Sequence, residues 1–205
     1  MQLSRQLRLI EPVRTPWLQE QGLGSLAARV RAAVWRAYDF PHSGTLVDIG
    51  GDGMLLAFLL QGCDALRGIM VDRPPRAQKA RFHLDEEGVL ERCQIKEDHP
   101  FNPLPAGGDL YILDRVLQRY DDDAEAILLL KNCRRAMSPH STTIIIEPVV
   151  LARNTPWGDV RELVSSGGRE RIEAEFRALL RRAGLRCHRI LPTQAEVSII
   201  EATRE

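Results

Sequence analysis

Residues 47–72 read VDIGGDGMLLAFLLQGCDALRGIMVD, and this stretch decides the fold. Leu46, Val47 and Ile49 form a short apolar strand, Gly50, Gly51 and Gly53 a turn, and the run from Met54 an apolar helix. A second apolar strand follows and ends in Asp72. Glycines lack Cβ, so the backbone turns sharply there and lets a ligand approach closely. The helix behind the turn presents unpaired amides to that ligand. An acid at the tip of the second strand accepts hydrogen bonds from a ribose diol. The unit predicts a βαβ cradle for a nucleotide-like small molecule, with Asp48, Gly50, Gly51, Asp52, Gly53, Asp72 and Arg73 around its mouth. A tight βα turn without a ligand is the plainer alternative.

The chain has 205 residues, 44% of them hydrophobic, enough to bury one core. Basic and acidic residues number 28 each. Nucleic-acid binding draws on excess positive charge, so this balance argues for a small-molecule or protein partner. Cys63, Cys93, Cys133 and Cys187 have no CxxC spacing, which speaks against a zinc site or disulfide framework and for a reducing compartment. No apolar stretch approaches the ~20 residues of a membrane span, and the opening MQLSRQLRLIEPVR lacks a signal-peptide core. A soluble, cytoplasmic protein with no metal is expected.

Strand-like and helix-like segments alternate along the chain. After residues 45–50 and 66–72, strands are expected at Cys93–Glu97, Asp109–Leu113, Thr142–Glu147, Cys187–Leu191 and Val197–Ala202. Helices are expected at Leu55–Gln61, Arg76–Glu87, Ala124–Met137 and Glu173–Ala183, the last closed by Gly184. This pattern is α/β: a doubly wound, seven-stranded sheet whose last two strands form a hairpin with one antiparallel strand at the sheet edge. Residues 1–43 read as a helical docking segment, with Leu23, Leu26, Val30, Val34 and Ala37 on one stripe and Trp17 and Trp35 as anchors. Residues 44–205 form the sheet domain.

Several blocks in order carry a family resemblance: YDF before VDIGG, then FNPLPAGGDLYILDRVL, YDDDAEAILLLKNCRRAMSP, IIIEPV and SGGRERIEAEFRALLRRAGL. Together they resemble the catalytic domain of the small-molecule O-methyltransferases of natural-product pathways, which use S-adenosylmethionine (SAM). The resemblance implies a class I methyltransferase fold, a Rossmann-like sheet. It also exposes departures. The glycine turn is one residue shorter, and Asp52 stands where the resemblance places the carboxypropyl end of SAM, so like charges would repel. Asp98 and His99 replace the pair whose acid meets adenine, and Asp114 replaces a lysine. The general-base histidine becomes Gln118, followed by Arg119 and Tyr120. An amide accepts no proton at neutral pH, which removes a group ordinarily worth 10²–10⁴ in rate as an order-of-magnitude estimate. Glu147 and Glu170 keep the two flanking carboxylates. The family's N-terminal dimerisation domain has no counterpart in residues 1–43, so a small helical subunit is the expected partner, with a homodimer or monomer as alternatives.

Three functions stay open. An altered SAM site without a dimerisation domain resembles the split, methyltransferase-like proteins that build aziridine-containing azabicyclic amino acids. That resemblance implies amine ring closure with sulfate leaving and no required cofactor. In such a displacement, cations would receive the leaving group, with Arg73, Arg115, Arg119, Arg153, Arg169 and His99 available. Carboxylates would hold the amine, with Asp52, Asp114, Glu147 and Glu170 available. The second reading is an active SAM-dependent O- or N-methyltransferase, and the third a non-catalytic scaffold. Glu147, Gln118, Glu170, Arg115, Arg119 and Asp114 are the catalytic candidates. Asp48, Gly50, Gly51, Asp52, Gly53, Asp72, Arg73, Asp98 and His99 are the candidates for holding a cofactor. The stretch Ser165–Gly168 is expected as a loop over the pocket, with Asn154 and Trp157 lining it. Against these stand plainer roles: arginines as surface ion pairs, and Asp121, Asp122 and Asp123 as a solvated helix start.

Overall fold

The computed structural model describes residues 25–150 and 169–205. Arg153, Asn154, Trp157, Ser165, Trp17 and Leu23 lie outside the described residues. The strands are β1 (Gly44–Ile49), β2 (Leu66–Asp72), β3 (Cys93–Glu97), β4 (Leu110–Asp114), β5 (Thr142–Glu147), β6 (Val149–Val150), β7 (Arg171–Ile172), β8 (Leu185–Pro192) and β9 (Ser198–Arg204). Seven of them form one sheet in the order β3-β2-β1-β4-β5-β9-β8. β1 to β5 run parallel, and β9 runs antiparallel to both β5 and β8. This is the doubly wound sheet expected from the alternation of segments. The hairpin closes the edge as expected, but its antiparallel member is β9, one place in, and the outermost strand is β8. The two-residue strands β6 and β7 pair only with each other and leave no periodicity to read in the sequence.

Helices cover both faces, which is why the central strands are continuously apolar. Leu46, Val47, Ile49 and Ile144 to Ile146 are all fully buried. The helices are α1 (Leu26–Ala37), α2 (Met54–Gly62), α3 (Pro74–Glu86), α4 (Asp123–Ala136) and α5 (Glu173–Ala183). Local chemistry sets their ends: Ser25 Oγ accepts from the Ala28 amide, and the Asp122 carboxylate from that of Ala124. Gly184 closes α5 in the left-handed region at φ 74°. α4 and α5 pack on one face of the sheet through Leu129, Leu130, Phe176 and Leu180. On the other face, Val30 and Val34 of α1 join Leu56, Phe58 and Ile199 in a single core. Trp35, expected on a docking surface, is used inside the chain: it stacks on Phe40 at 5.7 Å and meets Phe58 edge-on at 6.2 Å. Leu26 stays 65% exposed, so the buried stripe of α1 begins one turn later than expected.

Strand order reverses between β1 and β4. A crevice opens beyond the carboxyl ends of the strands at such a switch point. The turn after β1 and the ends of β2 and β4 border it.

Candidate functional site

The turn after β1 is built by exclusion of side chains. Gly50 and Gly53 hold φ of 70° and 80°, the left-handed region. A Cβ on Gly53 would meet the backbone of Ala80 in α3 at 3.1 Å, and one on Gly51 would collide with the Asp48 carboxylate. The Gly50 amide donates to the Val71 carbonyl at 2.9 Å, which ties the turn to β2. Asp52 caps the helix behind: its Oδ1 accepts from the Met54 amide at 3.1 Å. Its carbonyl meets His83 Nδ1 at 2.8 Å.

Four carboxylates lie along the carboxyl ends of the strands. Asp48 is buried under Gly51, and burial followed by the charges of Asp114, Asp52 and Asp72 pushes its pKa well up. Asp114 ends β4, where burial raises its pKa to about 6 against the opposing effect of Arg115. Glu147 ends β5 with 1% exposure, and burial raises it to about 7 although it accepts from the Gln118 amide at 3.2 Å. Asp72 ends β2; its Oδ1 accepts from the Arg73 amide at 2.7 Å. One oxygen each of Asp48, Asp72 and Asp114 is buried without a hydrogen-bond partner. Buried carboxylate oxygens are seldom left so, which marks this edge for polar ligand groups.

Two cavities flank the Gly50 turn. The first, about 310 Å³, lies between α1, the turn and the end of β4, with Arg31, Asp52, Arg76, Lys79, Asp114 and Arg115 on its walls. The second, about 360 Å³, lies beyond β2 and β3, with Asp72, Arg73, His99, Phe101, Tyr120 and Glu125. Arg76 and Arg119 border both. Arg119 Nη1 donates to the Gly50 carbonyl at 2.6 Å and Arg76 Nη1 to the same oxygen at 3.4 Å. Rings line the second cavity in a chain: His99 and Phe101 are 4.9 Å apart, Phe101 and Tyr120 5.1 Å.

The expected residues divide accordingly. Asp52, Asp114, Arg115 and Arg119 meet at the first cavity, and Gly50, Asp72, Arg73, His99 and Arg119 at the second. Asp98 reaches neither wall; its carboxylate binds Asn102 Nδ2 at 2.5 Å and the His99 amide at 2.8 Å within its own turn, and these bonds lower its pKa. Glu147 also lines neither cavity: it holds the Gln118 backbone from below. Gln118 sits in the short helix Leu117–Arg119, its carbonyl accepting from the Arg169 amide at 2.9 Å. Glu170 precedes β7 and lines neither cavity. Asp52 shares its wall with a second acid, Asp114, and with Arg31, Arg76, Lys79 and Arg115.

Sequence reading missed Arg31, Arg76 and Lys79, because which face of a helix meets a crevice depends on packing. It also missed Arg171, which is 1% exposed. Its guanidinium donates to the carbonyls of Leu117 at 3.0 Å and Tyr120 at 2.8 Å and meets Asp123 Oδ1 at 3.2 Å. It thus clamps the Gln118 turn, and it follows Arg169 and Glu170 in a charged run that gave a signal, though not its meaning. Among the described residues no group of His, Cys, Asp and Glu could hold a metal ion, and no helix is long and apolar enough to cross a membrane.

Comparison with known proteins places this geometry. Residues 15–186 match the O-methyltransferase domain family. The chain is 38% identical over 192 residues to the mitomycin biosynthesis 6-O-methyltransferase of Streptomyces lavendulae, covering 91% of this chain and 55% of that protein. Among solved structures it superposes on mitomycin 7-O-methyltransferase MmcR with a TM-score of 0.79 and 36% identity, over 92% of this chain and 56% of the other. It superposes likewise on NcsB1 of neocarzinostatin biosynthesis, solved with SAM and 2-hydroxy-5-methyl naphthoic acid, with a TM-score of 0.74 and 33% identity, over 85% and 53%. The chain spans about half the length of the curated relatives it matches.

Proposed function

The chain belongs to the O-methyltransferase domain family, and from that premise we propose that it serves methyl transfer from SAM to a small aromatic natural product. This reverses the order of the readings drawn from the sequence, which put ring closure first. The observation that carries it is the Asp72 carboxylate at the tip of β2, with Oδ2 buried and without a hydrogen bond, 4.0 Å from Arg76 Nε, beside a cavity walled by His99, Phe101 and Tyr120. A ribose diol and a nucleobase suit that pairing of an acid with rings, so the residues fit the adenosine part of SAM. When bound, SAM supplies a methyl group on a sulfonium, open to in-line attack.

The chain's own residues then set which acceptor suits. Gln118 takes no proton, and Glu147 beneath it faces the backbone. An acceptor should therefore arrive as a nucleophile: a hydroxyl acidic enough to ionise near neutral pH, or an amine. Arg119, beside Gln118 and bordering both cavities, carries charge that favours an anionic oxygen nearby. NcsB1 was solved in complex with SAM and 2-hydroxy-5-methyl naphthoic acid, a hydroxylated aromatic acid.

Calorimetric titration of SAM and S-adenosylhomocysteine into the purified protein tests the reading. Binding is expected, and Asp72→Asn should weaken it about tenfold or more. Incubation with hydroxylated and amino-substituted aromatic acids should then yield products heavier by one methyl group. Absence of binding by both nucleosides would remove this reading. Ring closure with loss of sulfate keeps one supporting observation, the guanidinium groups of Arg73, Arg76 and Arg119 around the second cavity. It would be favoured if a sulfated amine, but no adenosyl compound, were bound. The small helical subunit expected from the sequence is compatible with either reading; Trp35, one of its two expected anchors, packs on Phe40 and Phe58 and is only partly buried.

A further inference from the structure

The first cavity holds two buried polar orphans of opposite charge. Asp114 Oδ1 and Arg31 Nε are each shielded from solvent and without a hydrogen-bond partner, and both side chains line the same space. Arg31, Arg115 and Arg119 bring opposite charge near Asp114, yet none bonds its Oδ1. Arg115 Nη2 is committed to Glu196 Oε1 at 2.7 Å, and Arg119 Nη1 to the Gly50 carbonyl at 2.6 Å. Asp48 and Asp52 add negative charge around Asp114. A buried carboxylate oxygen left without a donor is unfavourable unless a ligand supplies one. With no metal-holding group among the described residues, an ammonium with its hydrogen-bond donors is the matching cation.

We propose that Asp114 binds the α-ammonium of the amino-acid end of SAM, while Arg31 faces its carboxylate. The proposal rests on the methyl-transfer reading above. Two observations join the sites: both cavities flank the Gly50 turn, and Arg76 and Arg119 border both. One ligand lying over the turn would place adenosine against Asp72 and an amino-acid zwitterion between Asp114 and Arg31. The neighbouring Lys79 adds to the positive side of the same wall. Recognition by opposed charges also answers the apparent obstacle at Asp52. A zwitterion carries an ammonium as well as a carboxylate, so a wall of mixed sign selects it where a uniformly basic wall would select a plain anion.

The test compares three ligands by calorimetry on the full chain: S-adenosylhomocysteine, its analogue lacking the α-amino group, and 5′-methylthioadenosine, which lacks the amino-acid end. The wild type should bind S-adenosylhomocysteine about tenfold or more tighter than the deaminated analogue, a charge-assisted contact being the difference. Asp114→Asn should erase that preference while leaving methylthioadenosine affinity unchanged, and Asp114→Glu should retain part of it. Equal binding of the two homocysteine ligands by the wild type would overturn the proposal and leave methyl transfer standing, and so would a preference that survives Asp114→Asn. Failure of the wild type to bind any of the three would remove both. Should Asp114→Asn fail to fold, the wild-type preference and its retention in Asp114→Glu decide the matter.

Discussion

Gly51 shows how narrowly one residue fixes the crevice. Its missing Cβ is the space in which the Asp48 carboxylate lies. Gly51→Ala should push that buried acid or the turn aside and lower both stability and S-adenosylhomocysteine affinity, the first by about 1–3 kcal/mol as overpacking does. Melting and titration of the variant check this together. Glu147 gives a prediction in pH. Its carboxyl ionises near 7 in the folded protein against an ordinary 4.5, because burial disfavours the charge. Below pH 4.5 the proton is held in both states and folding is not penalised. As pH rises from 4.5 to 7 the unfolded chain ionises first, so stability falls, and above 7 the loss is complete. Asp114 and Asp48, also raised, act with the same sign. Glu147→Gln should match the wild type near pH 4 and exceed it at pH 8 by ~3 kcal/mol in urea unfolding, if nothing else changes.

At the scale of elements, the turn holding Gln118 depends on a strand far from it in sequence. Arg171 of β7 donates to the Leu117 and Tyr120 carbonyls and meets Asp123. Arg171→Met should destabilise the protein by about 1–3 kcal/mol, since the Leu117 and Tyr120 carbonyls lose a charged donor. Lys at the same place should recover little, having no fork to reach two carbonyls. This clamp also marks where sequence reading stopped. The strands were legible because Ile144–Ile146 and Leu46–Ile49 are continuously apolar, and the glycine turn because only glycine fits there. The end of α5 was legible from Gly184. Arg171 was not, because its partners are backbone carbonyls more than 50 residues away. The Asp98 carboxylate was read as a ligand group because the family resemblance puts an acid that meets adenine at that turn. Its own Asn102, four residues on, captures it instead. The position of Asp72 was legible, since it ends β2 beside the second cavity.

For the whole molecule, the question is whether α1 belongs to the sheet domain or serves as a separate docking arm. Val30 and Val34 share a core with Phe58 of α2, Met70 of β2 and Ile199 of β9. The aromatic stack of Trp35 on Phe40 continues that core toward Phe58. Arg31, on the same helix, faces the first cavity. A helix so placed couples folding of the chain to completion of the site. Trp35→Ala should therefore lower stability by about 2 kcal/mol, less than the loss for a fully buried aromatic because Trp35 is partly exposed, with one cooperative transition retained. It should also weaken S-adenosylhomocysteine binding, because α1 carries Arg31 to the cavity wall. A docking arm behaves otherwise: there the substitution would leave both melting and ligand affinity unchanged and would impair only association with another chain. Urea unfolding followed by far-ultraviolet circular dichroism, with titration of the same variant, separates the two. A loss in both measurements makes α1 a wall of the binding site, and no loss in either makes it an arm.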